Sequence, residues 1–321
     1  MSQIIYNGGA PKAEISDVFS STMEELFHLD SKVVYIDADL MGSMKTKALW
    51  KKYPDNVVNT GIQEANMIGV AAGLYLTGMK PYVHSFSPFA SRRVFDQVFL
   101  SIGYAGKSIR IIGSDAGIMA TYNGGTHMCF EDTAMMCTIP GACVVDVSDA
   151  AMFKALLLET KDRPGVTYFR TARRGLPDVY SEDTEFHVGK GMKIFDGSDV
   201  TIIASGIMVG TAIEAAQALK ANGILAEVID PITVKPLDKE LIVNSAKKTG
   251  AVVVAENHSV HGGLGAEVAS LLSAEYPVTV RMVGVEDRFG QVGNEKYLRE
   301  QYGLTAENII KEVGEAITRK R

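Results

Sequence analysis

Glu64 lies in the run Thr60-Gly61-Ile62-Gln63-Glu64-Ala65-Asn66-Met67, in the first turn of a helix whose other residues are mostly apolar. An acid in a first turn is ordinarily explained by the helix dipole. Here the apolar surroundings imply a poorly hydrated carboxyl, which is expected to favour its neutral, hydrogen-donating form. Such a group is useful if something accepts its proton, and a ring nitrogen of an aminopyrimidine is one such acceptor. Other segments could serve the same chemistry. His84-Ser85-Phe86-Ser87-Pro88-Phe89 follows a strand, near the carboxyl ends where α/β sheets bind ligands. Phe86 and Phe89 could stack there on a flat heterocycle, although two phenylalanines also read as core packing. A glycine-rich loop runs from Ser114 to His127, and its histidine could donate, accept or move a proton near neutral pH. Asp39-Leu40-Met41-Gly42-Ser43 follows the first strand, and Phe169-Arg170-Thr171 ends another. An arginine at such a place suits phosphate recognition, with a surface ion pair as the alternative.

These residues must be positioned by the elements around them. Residues 33–36 read as a strand, 62–76 as a helix, 82–83 as the start of a strand, 88–102 as a helix and 109–112 as a strand. A loop spans 114–125, followed by a strand at 144–147, a helix at 150–159 and a strand at 166–169. The alternation predicts a mostly parallel sheet covered on both faces. A polar stretch with Gly175, Pro177 and Ser181-Glu182-Asp183 then interrupts it. Strands at 200–204, 226–229, 252–255 and 278–283 alternate afterwards with helices at 211–221, 239–248 and 265–272. The expected fold class is two consecutive α/β domains, at residues 1–175 and 191–321, joined by a linker at 176–190.

Bulk properties narrow the function. The 321 residues are 46% apolar and 22% charged, which fits folded cores and excludes global disorder. A net charge of −6 argues against a nucleic-acid partner. No apolar run is long enough for a membrane span, and residues 1–12 do not read as a signal peptide, so the expected location is cytoplasmic. Cys129, Cys137 and Cys143 lack metal-binding spacing and read as reduced core residues; no metal ligand is assigned. His261-Gly262-Gly263-Leu264-Gly265 does not have the spacing of a dinucleotide fingerprint.

Taken together, the order and spacing of these segments resemble the pyrimidine-binding and C-terminal domains of the transketolase family, over nearly the whole chain. The resemblance implies thiamine diphosphate as cofactor and transfer of a two-carbon ketol unit between sugar phosphates. It places Glu64 against N1′ of the aminopyrimidine, the contact that activates the cofactor, and Phe86 and Phe89 against the pyrimidine ring. Gly124-Gly125-Thr126-His127 resembles the family's Gly-x-Thr-His, which makes His127 a contact to substrate oxygens and an aid to proton transfer. Residues 38–43 resemble an Ala-Asp-Leu segment, with Asp39 and Leu40 near the cofactor and Ser43 near the donor's phosphate. Arg170 resembles an arginine that grips that phosphate. Three positions depart from the pattern: Asn123 replaces an acid, Ser114 a histidine, and Arg92 an aromatic. All three are expected on the substrate side, and His258 and His261 are further candidates at the mouth of the site.

The family holds its cofactor's diphosphate through Mg²⁺ bound by Gly-Asp-Gly and a later Asn, and this sequence contains no Gly-Asp-Gly. The resemblance therefore implies a split enzyme, with the Mg²⁺ ligands on an N-terminal-half partner subunit and an α2β2 assembly. The alternatives are a β subunit of a 2-oxoacid dehydrogenase, a deoxyxylulose-phosphate synthase-like enzyme, and a non-catalytic assembly subunit.

Overall fold

A computed structural model describes residues 4–320. Two runs of strands alternate with helices. The first run is β1 (Val33–Asp37), β2 (Val57–Asn59), β3 (Lys80–Phe86), β4 (Ile109–Ser114), β5 (Cys143–Asp146) and β6 (Val166–Arg170). The second is β7 (Met192–Phe195), β8 (Val200–Ala204), β9 (Ala226–Asp230), β10 (Thr233–Lys235), β11 (Ala251–Ser259) and β12 (Thr279–Val285). Every residue of β1, β4, β5, β6, β8 and β9 is buried, as strands covered on both faces require.

The chain is an α/β protein with two sheets. A seven-stranded sheet has the order β10-β5-β6-β4-β3-β1-β2, and a five-stranded sheet the order β12-β11-β8-β9-β7. All neighbours are parallel except β10 on β5 and β7 on β9. The first sheet thus takes its last strand from the second half of the sequence. That pairing joins residues far apart in the chain and leaves no local signal.

Helices follow local chemistry where it is strong. Asp149 caps the helix Ala150–Glu159 by accepting from Met152 N at 2.9 Å, and Asp238, Asn294 and Thr305 cap later helices. Asp149 also accepts from the amides of Val179 and Tyr180, so one carboxylate fastens the polar connection to the first sheet. Residues 88–102, expected as one helix, form three pieces: Ser87–Ala90, Arg92–Val94 and a π-helical Gln97–Tyr104. Ser91, at φ −120° and ψ −85°, breaks the first from the second. The loop expected at 114–125 contains a 3₁₀ stretch, Gly117–Asn123.

The two sheets meet at the carboxyl end of β11. Asn257 accepts from Ile118 N and donates to Ala116 O, both at 3.1 Å, so one side chain clamps the segment after β4. Gly117 lies between, at φ +56°, where a Cβ would come within 2.3 Å of the Asn257 side chain. Arg170 occupies the centre of the seam. Its Nε lies 3.1 and 3.0 Å from the two Asp132 oxygens, its Nη1 approaches Asp146, and its Nη2 donates to the carbonyls of Cys129 and Asn257. Asp132 also accepts from Ser87 and Tyr168 at 2.8 Å. Burial would raise the Asp132 pKa, but the Arg170 charge and these donors outweigh it and hold it below the usual range. Asp146 in turn accepts from Ser205 at 2.7 Å, across the seam.

Replacing Arg170 by Met would leave two buried aspartates without their cation. The expected cost is about 3–5 kcal/mol, read as a lower denaturant midpoint; an unchanged midpoint contradicts this account. A second test concerns Glu256, which accepts from the first amides of helix Leu264–Glu275. Burial pushes its pKa up to about 7 despite those donors. The folded chain then holds a proton that the unfolded chain has released, so this group's contribution is lost as pH rises towards 7. Relative to Glu256→Gln, wild-type stability should fall by up to about 3 kcal/mol between about pH 5 and about pH 8. A difference that stays flat or grows with pH would count against it.

Candidate active site

The site forms where β1, β3 and β4 end. β3 delivers Phe86, and the turn that begins at once with Ser87-Pro88 turns Phe89 beside it. The two rings lie 6.3 Å apart between centroids. His127, carried by the loop after β4, approaches both, at 5.8 Å from Phe86 and 5.2 Å from Phe89. Glu64 is the first residue of the helix Glu64–Leu76, preceded by Gly61 at φ +71°. Its side chain is only 3% exposed, and Ser85 donates to Oε1 at 3.3 Å. Both carboxylate oxygens also accept from Arg93 Nη1 at 2.9 Å, and the Arg93 guanidinium stacks on Phe89, 3.9 Å from the ring centroid. Glu64 is therefore an acceptor in the free chain, not the hydrogen donor expected from its apolar helix. Burial lowers the His127 pKa, and the Arg93 charge lowers it further, so its imidazole is neutral at physiological pH.

Glu64, Phe86, Phe89 and His127 are thus brought together. Asp39 lies nearby through Asn59, whose side chain donates to Asp39 Oδ1 and accepts from the amides of Asp39 and Gly61. Asp39 itself is exposed, at φ +65°. The Leu40 amide donates to Asp37, and the Ser43 hydroxyl turns back to the Leu40 carbonyl at 2.7 Å. Arg170 does not join the site. It is buried and fully engaged in the seam between the sheets.

Two more accessible arginines, Arg173 and Arg174, lie three and four residues further on in Arg170-Thr171-Ala172-Arg173-Arg174. Arg173 is half-buried over Phe86, 5.8 Å from the ring centroid, with Nε 2.9 Å from Asp115 Oδ2. This is a close ion contact, off-line for a hydrogen bond, because Oδ2 has no bonded partner among the described residues. Burial raises the Asp115 pKa, and Arg173 opposes the rise. The repeated arginines were the sequence signal for this residue, but only strand β6 decides which of them points inward.

The departing positions are also placed. Ser114 bonds His84 Nε2 at 2.9 Å, and His84 Nδ1 bonds Asp37 at 2.9 Å, a chain of fully buried groups on three adjacent strands. A histidine thus stands behind position 114 although position 114 is a serine. Arg92 pairs with Glu131. Asn123 is exposed. His258 is buried in the seam, against Ser259 O at 2.8 Å and Ala134 N at 3.4 Å, and does not reach the aromatic pair; His261 is exposed. The loop carrying His127 is braced from the second half of the chain, since a Cβ at Gly125 would lie 2.4 Å from Gly290 O.

Comparison with known proteins gives the family. Residues 11–178 match the transketolase pyrimidine binding domain, and residues 189–309 the transketolase C-terminal domain. The chain is 46% identical over 306 residues to the 6-deoxy-6-sulfo-D-fructose transketolase subunit SqwH of Clostridium sp. (strain MSTE9), covering 95% of each chain. It is 36% identical to one of the subunits of the apulose-4-phosphate transketolase of Phocaeicola vulgatus (strain ATCC 8482), covering 91% of this chain and 94% of that one. Among solved structures, a split gene transketolase in the form of an inactive beta4 tetramer superposes with a TM-score of 0.89 at 41% identity, covering 98% of this chain and all of that one.

The chain belongs to the transketolase family. It is the C-terminal-half subunit of a split transketolase, a thiamine-diphosphate-dependent transferase that implies a partner subunit carrying the other half. Among the described residues, no helix is long and apolar enough to cross a membrane.

Proposed function

We propose that this chain supplies the activating and substrate-facing wall of a split transketolase that moves a two-carbon ketol unit between anionic sugars. The observation that carries the reading is the convergence of a buried Glu64 carboxylate, the Phe89 face and His127 at one strand-end cleft. A flat nitrogen-bearing cation, the Arg93 guanidinium, already fits between Glu64 and Phe89, which is the space and chemistry an aminopyrimidine needs. Thiamine diphosphate, when bound, supplies carbanion chemistry that no side chain can.

Within this reading each residue has a distinct task. Glu64, once protonated from solvent, would hold the pyrimidine nitrogen by donating a hydrogen bond to it. Phe89 and Phe86 hold the ring flat, and Asp39 and Leu40 line the near side of the cleft. His127, neutral at physiological pH, takes hydrogen bonds from substrate hydroxyls and can relay a proton. Arg173, rather than Arg170, faces the substrate's terminal anion, with Ser43 at the rim of the cleft. The relatives named for 6-deoxy-6-sulfo-D-fructose and apulose 4-phosphate support a sulfonated or phosphorylated ketose as donor. We assign the diphosphate, Mg²⁺ and the Gly-Asp-Gly…Asn ligands to the partner subunit, in a cytoplasmic α2β2 complex. The proposed division remains residues 1–175, a linker at 176–190, and 191–321.

Two measurements on the chain reconstituted with its partner test this. Glu64→Gln should lower kcat by at least about a hundredfold while the complex stays intact on gel filtration. Full activity in that variant would exclude a catalytic role for Glu64. Arg173→Gln should raise KM for the anionic ketose roughly tenfold or more, with the complex still intact on gel filtration. An unchanged KM across a screen of sulfonated and phosphorylated donors would remove Arg173 from the substrate site.

A further inference from the structure

Arg93 lies between Glu64 and the Phe89 ring. Its guanidinium makes two contacts at once: hydrogen bonds to both Glu64 oxygens at 2.9 Å, and a stack on Phe89 at 3.9 Å. An aminopyrimidine in this cleft would need the same two partners. A separation of 3.9 Å is already van der Waals contact, so two flat groups cannot share that face of Phe89. The hydrogen-bond chemistry excludes sharing as well. A carboxylate that accepts twice from a guanidinium has no proton to offer an acceptor nitrogen.

We propose that Arg93 is a positioning residue that occupies the pyrimidine seat in the free chain and leaves it when the aminopyrimidine arrives. The inference rests on the reading of Glu64 as the pyrimidine's partner. While Arg93 is in place, it neutralises a carboxylate that is only 3% exposed and would otherwise be a buried, uncompensated charge. It also keeps the Phe89 face covered. The exit is open, because the Arg93 side chain is 46% exposed and sits on the short 3₁₀ turn Arg92–Val94, beside solvent. On exchange, Arg93 carries its charge into water, and Glu64 takes a proton from solvent and donates it in a hydrogen bond to the ring nitrogen. The free subunit is thereby stable and closed, and it opens only to a group that satisfies both Glu64 and Phe89.

The test uses the full chain and the probe 4-amino-5-hydroxymethyl-2-methylpyrimidine, with binding measured by titration calorimetry. Removing the competitor should improve binding: Arg93→Met is expected to bind the probe roughly five- to tenfold more tightly than wild type. Arg93→Lys, which keeps the charge but loses the planar fork, should fall between them. A residue with only a structural role would give weaker binding when replaced. Equal affinity in Arg93→Met and wild type, including none detectable in either, overturns the proposal, as does weaker binding. Arg93→Gln stands in, with the same expectation, should the Met variant fail to fold by circular dichroism. Glu64→Gln added to Arg93→Met should abolish the gain. Tighter binding that survives this second change would sink the assignment of Glu64 as the pyrimidine's partner, and not the displacement of Arg93 from Phe89.

Discussion

The buried arginine at the end of β6 is the constraint on which the rest of this structure hangs. Arg170 lies between Asp132 and Asp146 and reaches the carbonyl of Asn257 on the other sheet. A guanidinium with this little access to water is tolerated only when its charge is matched and its donors are used. Meeting that condition fixes three things together: the short helix Asp132–Cys137, the end of β5 and the end of β11. Asn257, held there, clamps the segment at 116–118 that leads into the loop carrying His127. The distance from His127 to the aromatic pair is therefore set partly by an ion cluster in the seam between the sheets.

A second arginine–carboxylate contact in the same molecule has a different character. Arg93 and Glu64 form a pair that is buried on the acid's side and open to solvent on the arginine's side. The first pair can be broken only by unfolding the seam, because both partners are desolvated. The second can part by a rotation of one long side chain into water, and the carboxylate then needs either a proton or a new partner. Burial of one end and exposure of the other make the contact exchangeable, which suits a seat that another flat group is to take.

The cleft is one wall of an active site, as expected of one subunit of a split enzyme. Glu64 starts a helix, Phe86 ends β3, Phe89 sits in the turn after it and His127 in the loop after β4, all at the strand-end edge of the seven-stranded sheet, where α/β sheets bind ligands. The second sheet contributes no residue to the aromatic cluster, but the second half of the chain braces the His127 loop through Gly290 and completes the first sheet with β10. Arg173 and Asp115 form a further charged pair, with Arg173 over Phe86.

By itself the sequence determined what local pattern can encode. Alternating apolar runs and helices specified two α/β sheets, and strand ends and helix starts put Glu64, Phe86, Phe89 and His127 on one edge whatever the rest of the fold does. The tertiary structure decided the rest. The arginines at 170 and 173 are alike in sequence, and the alternation of side chains along β6 and just beyond it sends the first into the seam and leaves the second over Phe86. Ser91 breaks what reads as one helix at 88–102, and that break carries Arg93 onto Glu64, a contact spanning 29 residues. β10 joins the first sheet from almost ninety positions away. Each of these outcomes depends on which distant group fills a given space, and residue type and spacing alone carry no information about that.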